Sequence, residues 1–212
     1  MIRRVIARPE FGPFVLLVIE LAVFTAINPN FLSPQNISNT LVFTVELGLI
    51  AMAMTLLMTS GEFDLSVGSV FGFSPVLMWT LFNAGVASLE IAFAAALVAA
   101  VLIGVVNGLF VTRLKIPSFL VTLGMLLVVR GTALFITDGF PQRTWSAEGE
   151  WLPEILVGDF YLGPFRLYMS LFWFIGAALL LHYVLTQTKG GNWILASGGN
   201  AGAARARGVN VN

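Results

Sequence analysis

Apolar residues come along this chain in long unbroken runs, not at every second or every fourth position. A helix needs about 20 mostly apolar residues to cross the hydrocarbon of a bilayer. Six runs approach that length: 11–27, 41–60, 66–86, 89–111, 118–137 and 165–186. The predicted fold is therefore all-α, a polytopic membrane bundle of six transmembrane helices forming one domain over 1–212. The sizeable connections are 28–40 and 138–164. In the second, Trp145 and Trp151 flank an acidic cluster at a place suited to the membrane interface, with 150–158 as a short surface helix or turn. No heptad seam or short-period repeat breaks the pattern.

Composition agrees with the runs. The chain is 58% hydrophobic and 10% charged, with mean hydropathy +0.90, against about 45–50% apolar and about 25% charged in soluble domains. Zero net charge and a pI near 6.6 leave no footprint for nucleic acid. With no cysteine there are no disulfides and no thiolate metal sites. The single histidine, His182, has no acidic or histidine neighbour at ligand spacing, so no metal site is expected.

Basic residues set the orientation. The first run follows Arg3, Arg4 and Arg8; it is long and lacks an A-x-A cleavage signal, so it reads as a retained helix, not a signal peptide. With the N-terminus inside, Arg3, Arg4, Arg8, Arg113, Lys115, Lys189, Arg205 and Arg207 are cytoplasmic, against Arg143 and Arg166 outside. The outer loop 138–164 adds Asp138, Glu148, Glu150, Glu154 and Asp159, though acidic residues contribute little to orientation. The resulting topology places both ends of this sequence in the cytoplasm.

Three charges fall inside the runs. Arg130, seven residues before Thr137, lies roughly 10 Å from the outer end of its helix. Glu46 and Glu20 fall at similar depths, about 8–10 Å. A charge there costs on the order of 2.5–3.5 kcal/mol near the centre, so Arg130 is expected to pair with Glu46 or Glu20. Asn107 and Gly108, with Gly104 one turn earlier, are read as permitting close helix approach.

The stretch Gly61-Glu62-Phe63-Asp64-Leu65-Ser66-Val67-Gly68-Ser69 places two carboxylates among small residues between two apolar runs. Asp64 suits the N-cap of the following helix, accepting from the N–H of Ser66 or Val67. Gly61 and Gly68 allow tight backbone. The segment is either a cytoplasmic turn or a partly re-entrant break that moves in gating, and is read as inner-face architecture before solute contact. Pro117 fits the first turn of the helix that follows the basic loop Arg113–Ser118. Beyond the last span, Asn200 can cap a short helix over 201–207 and Gly208 can end it, forming a small-residue, basic docking knob.

Several motifs now coincide. Gly61 through Ser69, Asn107-Gly108-Leu109, Ile116-Pro117-Ser118-Phe119-Leu120-Val121-Thr122-Leu123-Gly124 with Arg130-Gly131, and Gly198-Gly199-Asn200 through Ala203-Ala204 and Gly208-Val209-Asn210 resemble the permease subunit of ribose-type monosaccharide ABC importers. Their order and spacing match from about residue 40 to the end. The resemblance implies an ATP-driven importer of the bacterial inner membrane. Its implied partners are a second permease copy or homologue, two cytoplasmic ATPase subunits and a periplasmic sugar-binding protein. No cofactor is implied on this chain; ATP and magnesium belong to the partner ATPase. The coupling segment would be 187–212, with Gly198, Gly199, Asn200, Ala203, Ala204, Arg205 and Gly208 in the part that fits the ATPase, while Gly61, Asp64, Ser66 and Gly68 serve as gate or cap. Two positions depart from the family, Asn192 where it often has a basic residue and Gly202 where it often has an acidic one. The family also runs on for several further spans past the coupling segment, so this sequence resembles a truncated permease.

No G-x-x-x-x-G-K-[ST] loop occurs, and Lys189-Gly190-Gly191 lacks its glycine spacing and hydroxyl, so the chain is not expected to hydrolyse ATP. The rival reading is a secondary transporter in which Glu20, Glu46, Asp64 and Arg130 form an ion relay. A membrane-embedded enzyme is weaker still, since no nucleophile–base pair is visible.

Overall fold

The computed structural model describes residue 8 and residues 11–140, 151–209 and 211. The sequence features at Arg3, Arg4, Arg143, Trp145, Glu148, Glu150 and Asn210 lie outside the described residues. The helices are α1 (Phe11–Ile27), α2 (Pro34–Thr59), α3 (Val67–Asn83), α4 (Leu89–Thr112) and α5 (Ser118–Ile136). After them come a short α6 (Trp151–Val157), a hairpin of β1 (Asp159–Leu162) and β2 (Phe165–Tyr168), then α7 (Ser170–Gln187) and α8 (Lys189–Ala206). The chain is a polytopic helical membrane protein. Helices α2, α4, α5 and α7 are long and apolar enough to cross a bilayer. At 17 residues each, α1 and α3 are apolar but shorter, roughly 26 Å at about 1.5 Å per residue.

Two boundaries differ from the apolar pattern. α2 starts at Pro34, not near 41, because Ser33 caps it and Pro34 takes the first helical position, where its missing N–H is no loss. Ser33 Oγ accepts from Asn36 N at 3.3 Å, so the polar residues 35–40 form the helix's first turns. The expected span 165–186 is divided: Phe165–Tyr168 pairs antiparallel with Asp159–Leu162, and the helix begins at Ser170. Gly163, with φ +60°, supplies the turn conformation that glycine adopts most readily. Pro117 stands just before α5, in its capping position.

Helices α3, α4 and α5 pack on one another, whereas α2 packs on α7, β2 and α8. α4 shows how. Its buried positions Leu89, Ala92, Ala96 and Asn107 lie on one helical stripe and are mostly small, while Leu97, Val98, Val101 and Leu102 point outward. Lipid offers apolar side chains as good a surrounding as protein does, so close contact between small residues holds such helices together.

The bundle has two distinguishable ends. One carries the α2–α3 and α4–α5 connections and α8, with Arg113, Lys115, Lys189, Arg205 and Arg207; we call it the basic end. The other carries the hairpin, tied down by side chains. The Arg166 N–H donates to Ser38 Oγ at 3.0 Å, and Ser38 is fully buried on α2. Trp173 Nε1 donates to the Ile155 carbonyl at 3.1 Å, and Trp151 Nε1 to Glu90 Oε1 at 3.0 Å. Arg166 also grips Asp159 through two parallel hydrogen bonds, 2.9 and 2.8 Å, across the hairpin.

That fork holds the Asp159 carboxyl below its ordinary value of 3.8. A carboxylate with a lowered native pKa adds stability above its unfolded pKa and loses it as pH falls through the lower native one. Amide protection at Phe160 and Leu167 is therefore expected to hold down to about pH 4 and to fall below it. Arg166→Gln should remove that acid step; an unchanged hydrogen-exchange profile would show that the pair contributes nothing.

Candidate functional site

The chain leaves α2 through a glycine. Gly61 has φ +91°, its N–H donates to the Met58 carbonyl at 3.0 Å, and the Glu62 N–H reaches back to the Leu57 carbonyl at 3.3 Å. This left-handed C-terminal cap satisfies two of the last helical carbonyls. The next residues are not helical, so their backbone groups need other partners. The Phe63 N–H donates to Ser118 Oγ, the first residue of α5, at 3.2 Å. Asp64 Oδ1 accepts from the Ser66 N–H at 2.7 Å and from the Ser66 hydroxyl at 2.6 Å. Helix α3 begins at Val67 with Ser66 in its capping position, so Asp64 forms a turn ahead of the helix and is not its N-cap.

The Ser66 hydroxyl in turn accepts from Asn107 Nδ2 on α4 at 3.1 Å. Since its proton goes to Asp64, its lone pairs face Asn107, which fixes the amide with Nδ2 toward Ser66. No protein donor reaches the buried Asn107 Oδ1. Thr122, one turn into α5, donates to the Ser118 carbonyl at 2.8 Å. Four polar side chains are thus buried near one another in an apolar bundle: Ser66 at 0%, Thr122 at 3%, Asn107 at 5% and Ser118 at 9% exposure.

Beside them opens a cavity of about 510 Å³, whose walls include Glu62, Asp64, Asn107, Ser118, Trp193 and Ser197. Among the described residues its walls have acceptors and hydroxyls but no lysine, arginine or histidine; Lys115 lines the adjoining recess that shares Glu62 and Ser118. Gly104 and Gly108 also face it, with nothing within 4 Å of where a Cβ would stand. Among the described residues no helix approaches these glycines closely; they open onto the cavity.

α8 closes the basic end. Thr188 Oγ1 caps it by accepting from Gly191 N at 3.1 Å. Asn200 leaves helical geometry (φ −159°, ψ 95°), and its Oδ1 accepts from Ala203 N at 2.9 Å, so it caps a second short helix through Ala206. Gly208, at φ +82°, ends that helix, with the Gly208 and Val209 N–H groups returning to the Arg205 and Ala204 carbonyls. Gly198 meets the end of α2 so closely that a Cβ would overlap the Thr59 carbonyl oxygen. A Cβ on Gly61 would stand 3.7 Å from Gly198 Cα. Ala204 is buried while Gly199, Asn200, Ala203 and Arg205 face outward.

The expected intramembrane ion pair is not formed. Arg130 is exposed on α5 along a groove lined by Gly68, Ser69, Gly72 and Phe73 of α3, and pairs with neither Glu46 nor Glu20. An ion pair does form at the opposite end, between Arg166 and Asp159. The reason is the packing: α5 lies against α3 and α4, whereas Glu46 rides on α2, in the other group, and Glu20 is exposed on α1. His182 is exposed on α7, and no cluster of three His, Asp or Glu able to hold a metal occurs among the described residues.

Comparison with known proteins bears on this arrangement. Residues 36–212 match the family described as the permease component of branched-chain amino acid transport systems. The chain belongs to that permease family. Over 204 residues, 96% of this chain, it is 33% identical to the ribose import permease protein of Escherichia coli (strain K12), covering 62% of that relative. The xylose/arabinose import permease protein of Sulfolobus acidocaldarius is 31% identical across 99% of the chain and 58% of the relative. The galactose/methyl galactoside import permease protein of Escherichia coli (strain K12) is 32% identical across 95% and 63%. The permease chain thus spans about three-fifths of the length of these relatives. No solved structure matches it significantly.

Motifs far apart in the permease chain meet at the basic end. Residues 61–66, Asn107, Ser118 and Gly198 share one neighbourhood. Thr59 and Trp193 were not singled out by sequence, and Thr122 only as a member of the 116–124 motif; the available signal was Thr122 one turn after Ser118, two hydroxyls on one face of an apolar helix. Three substitutions test the junction. Ser66→Ala leaves the Asn107 NH2 buried without its acceptor and should cost about 1–3 kcal/mol in unfolding from detergent micelles. Gly198→Ala should cost a similar ~1–3 kcal/mol through overpacking, while Gly199→Ala, with open space at its Cβ, should be near neutral. Equal stabilities for the two glycine variants would refute the close contact.

Proposed function

We propose that this chain is part of the membrane-spanning permease of an ATP-driven importer, supplying the pathway for a monosaccharide delivered by a periplasmic binding protein. On this reading it sits in the bacterial inner membrane with its N-terminus and basic end in the cytoplasm, beside a second permease copy or homologue. It does no chemistry: separate ATPase subunits bind ATP and magnesium, and the segment around Asn200 docks on them. The observation that carries the reading is the 33% identity to a ribose import permease across 96% of the chain.

The cavity supports a sugar over an amino acid. An amino acid brings a carboxylate, which in a low-dielectric site calls for a cationic or multiple N–H partner. A cavity whose described walls carry Glu62 and Asp64 and no basic side chain suits hydroxyl donors instead. The secondary-transporter reading loses its physical basis with the separation of Arg130, Glu46 and Glu20, because a relay needs neighbouring groups.

The test is uptake into proteoliposomes by the full-length permease with its ATPase and binding protein. Ribose, xylose or galactose uptake is expected only with ATP and both partners; uptake driven by a proton or sodium gradient alone would overturn the importer. At the docking segment, Ala203→Glu is the informative change because Ala203 is exposed, whereas Ala204 is buried and its replacement would break the knob itself. Ala203→Glu should abolish co-purification with the ATPase while membrane insertion is kept; undiminished co-purification counts against docking there.

A further inference from the structure

The junction at the basic end contains two contacts whose combined effect depends on what each element touches. α8 packs on α7 and α2. Its corner with α7 is tight, since a Cβ on Gly191 would strike the Val184 and Leu185 carbonyls, and displacement of α8 therefore reaches α7 directly. Reaching α4 and α5 is another matter. The packed route from α8 leads through Gly198 onto the Thr59 backbone and Gly61, then along residues 62–66. That connection is anchored by side chains at two points: Ser118 of α5 holds the Phe63 N–H, and Asn107 of α4 holds Ser66, itself bound to Asp64.

We propose that Asn107 and Ser118 are positioning residues that make the 61–66 connection, α4 and α5 move with α8 as one body. The inference rests on the importer reading and deepens it by naming what carries displacement from the docking segment to the helices around the cavity. Glycine at 198 brings backbone against backbone, leaving no flexible side chain to absorb the motion. Buried hydrogen bonds then replace what would otherwise be a slack turn. Asn107 carries a second indication: its Oδ1 is buried with no protein donor, and such a group is costly unless another arrangement or partner satisfies it.

The experiment uses the full-length permease assembled with its ATPase and binding protein, recording ATP hydrolysis and sugar uptake together. Asn107→Ala and Ser118→Ala should keep ATPase co-purification and hydrolysis within about twofold while sugar moved per ATP falls about fivefold or more, the lower range of coupling effects. Ser118→Thr, which keeps the hydroxyl, should restore the ratio, as loss of packing alone would not. Gly198→Ala should lower the ratio similarly, and combining it with Asn107→Ala should do no further harm, because both break one linkage. An unchanged ratio in the alanine variants, or effects that multiply, overturns the proposal.

A second arm does not depend on those variants folding. The chain has no cysteine, so Ser60→Cys with Ser197→Cys, both at the cavity wall, can be bridged by a bifunctional thiol reagent. If the elements move as one body the bridged transporter keeps the ATP hydrolysis that its binding protein stimulates, a readout that a blocked cavity does not report; hydrolysis lost on bridging and regained on release overturns the linkage. Absence of ATP-driven sugar uptake in the unaltered transporter overturns the importer reading instead.

Discussion

A peptide group that leaves a helix in a membrane bundle needs a partner from the protein or from a water-filled cavity, because lipid offers none. Residues 61–66 meet that demand between two apolar helices, and much of the basic end follows from it. The Gly61 turn returns two N–H groups to α2, Asp64 takes the Ser66 N–H, and Phe63 must borrow a hydroxyl from another helix. That loan places Ser118 at the start of α5, and the Ser66 hydroxyl, turned toward Asp64, calls for the Asn107 amide from α4. Polar residues that look like defects in apolar runs are therefore the partners of one irregular connection.

The spans were legible because lipid tolerates few polar side chains, which leaves a strong one-dimensional signal. Turns governed by glycine and caps governed by hydroxyl or amide side chains were legible for a similar reason: the chemistry is local, as at Gly61, Asn200 and Gly208. What failed was inference from depth to contact. Arg130, Glu46 and Glu20 share a level, but level does not say which helices are neighbours or which face a residue occupies, and packing puts them on different groups. Gly104 and Gly108 failed likewise, since a glycine that admits a helix and one that widens a cavity read the same in sequence. The early start of α2 and the hairpin were missed because polar turns of helix and short strands carry little periodic signal.

The composition of α8 is unusual for a helix of its length and bears on its role. Five of its 18 residues, Gly190, Gly191, Gly198, Gly199 and Gly202, are glycine, each costing about 0.8–1.0 kcal/mol of helix propensity relative to alanine. Two have a steric reason, Gly191 at the corner with α7 and Gly198 against Thr59. The other three are not forced by their neighbours; Gly199 has open space and Gly190 and Gly202 meet single side-chain oxygens. A helix so poor in intrinsic stability is held by its caps and by packing on α2 and α7. Its bare outward backbone near Asn200 offers a partner close approach, and elements of low local stability are those that move most readily on binding. The same glycines that weaken α8 as an isolated helix thus fit it to be shaped from both sides, by the bundle through Gly198 and by the proposed ATPase through the face beyond Asn200.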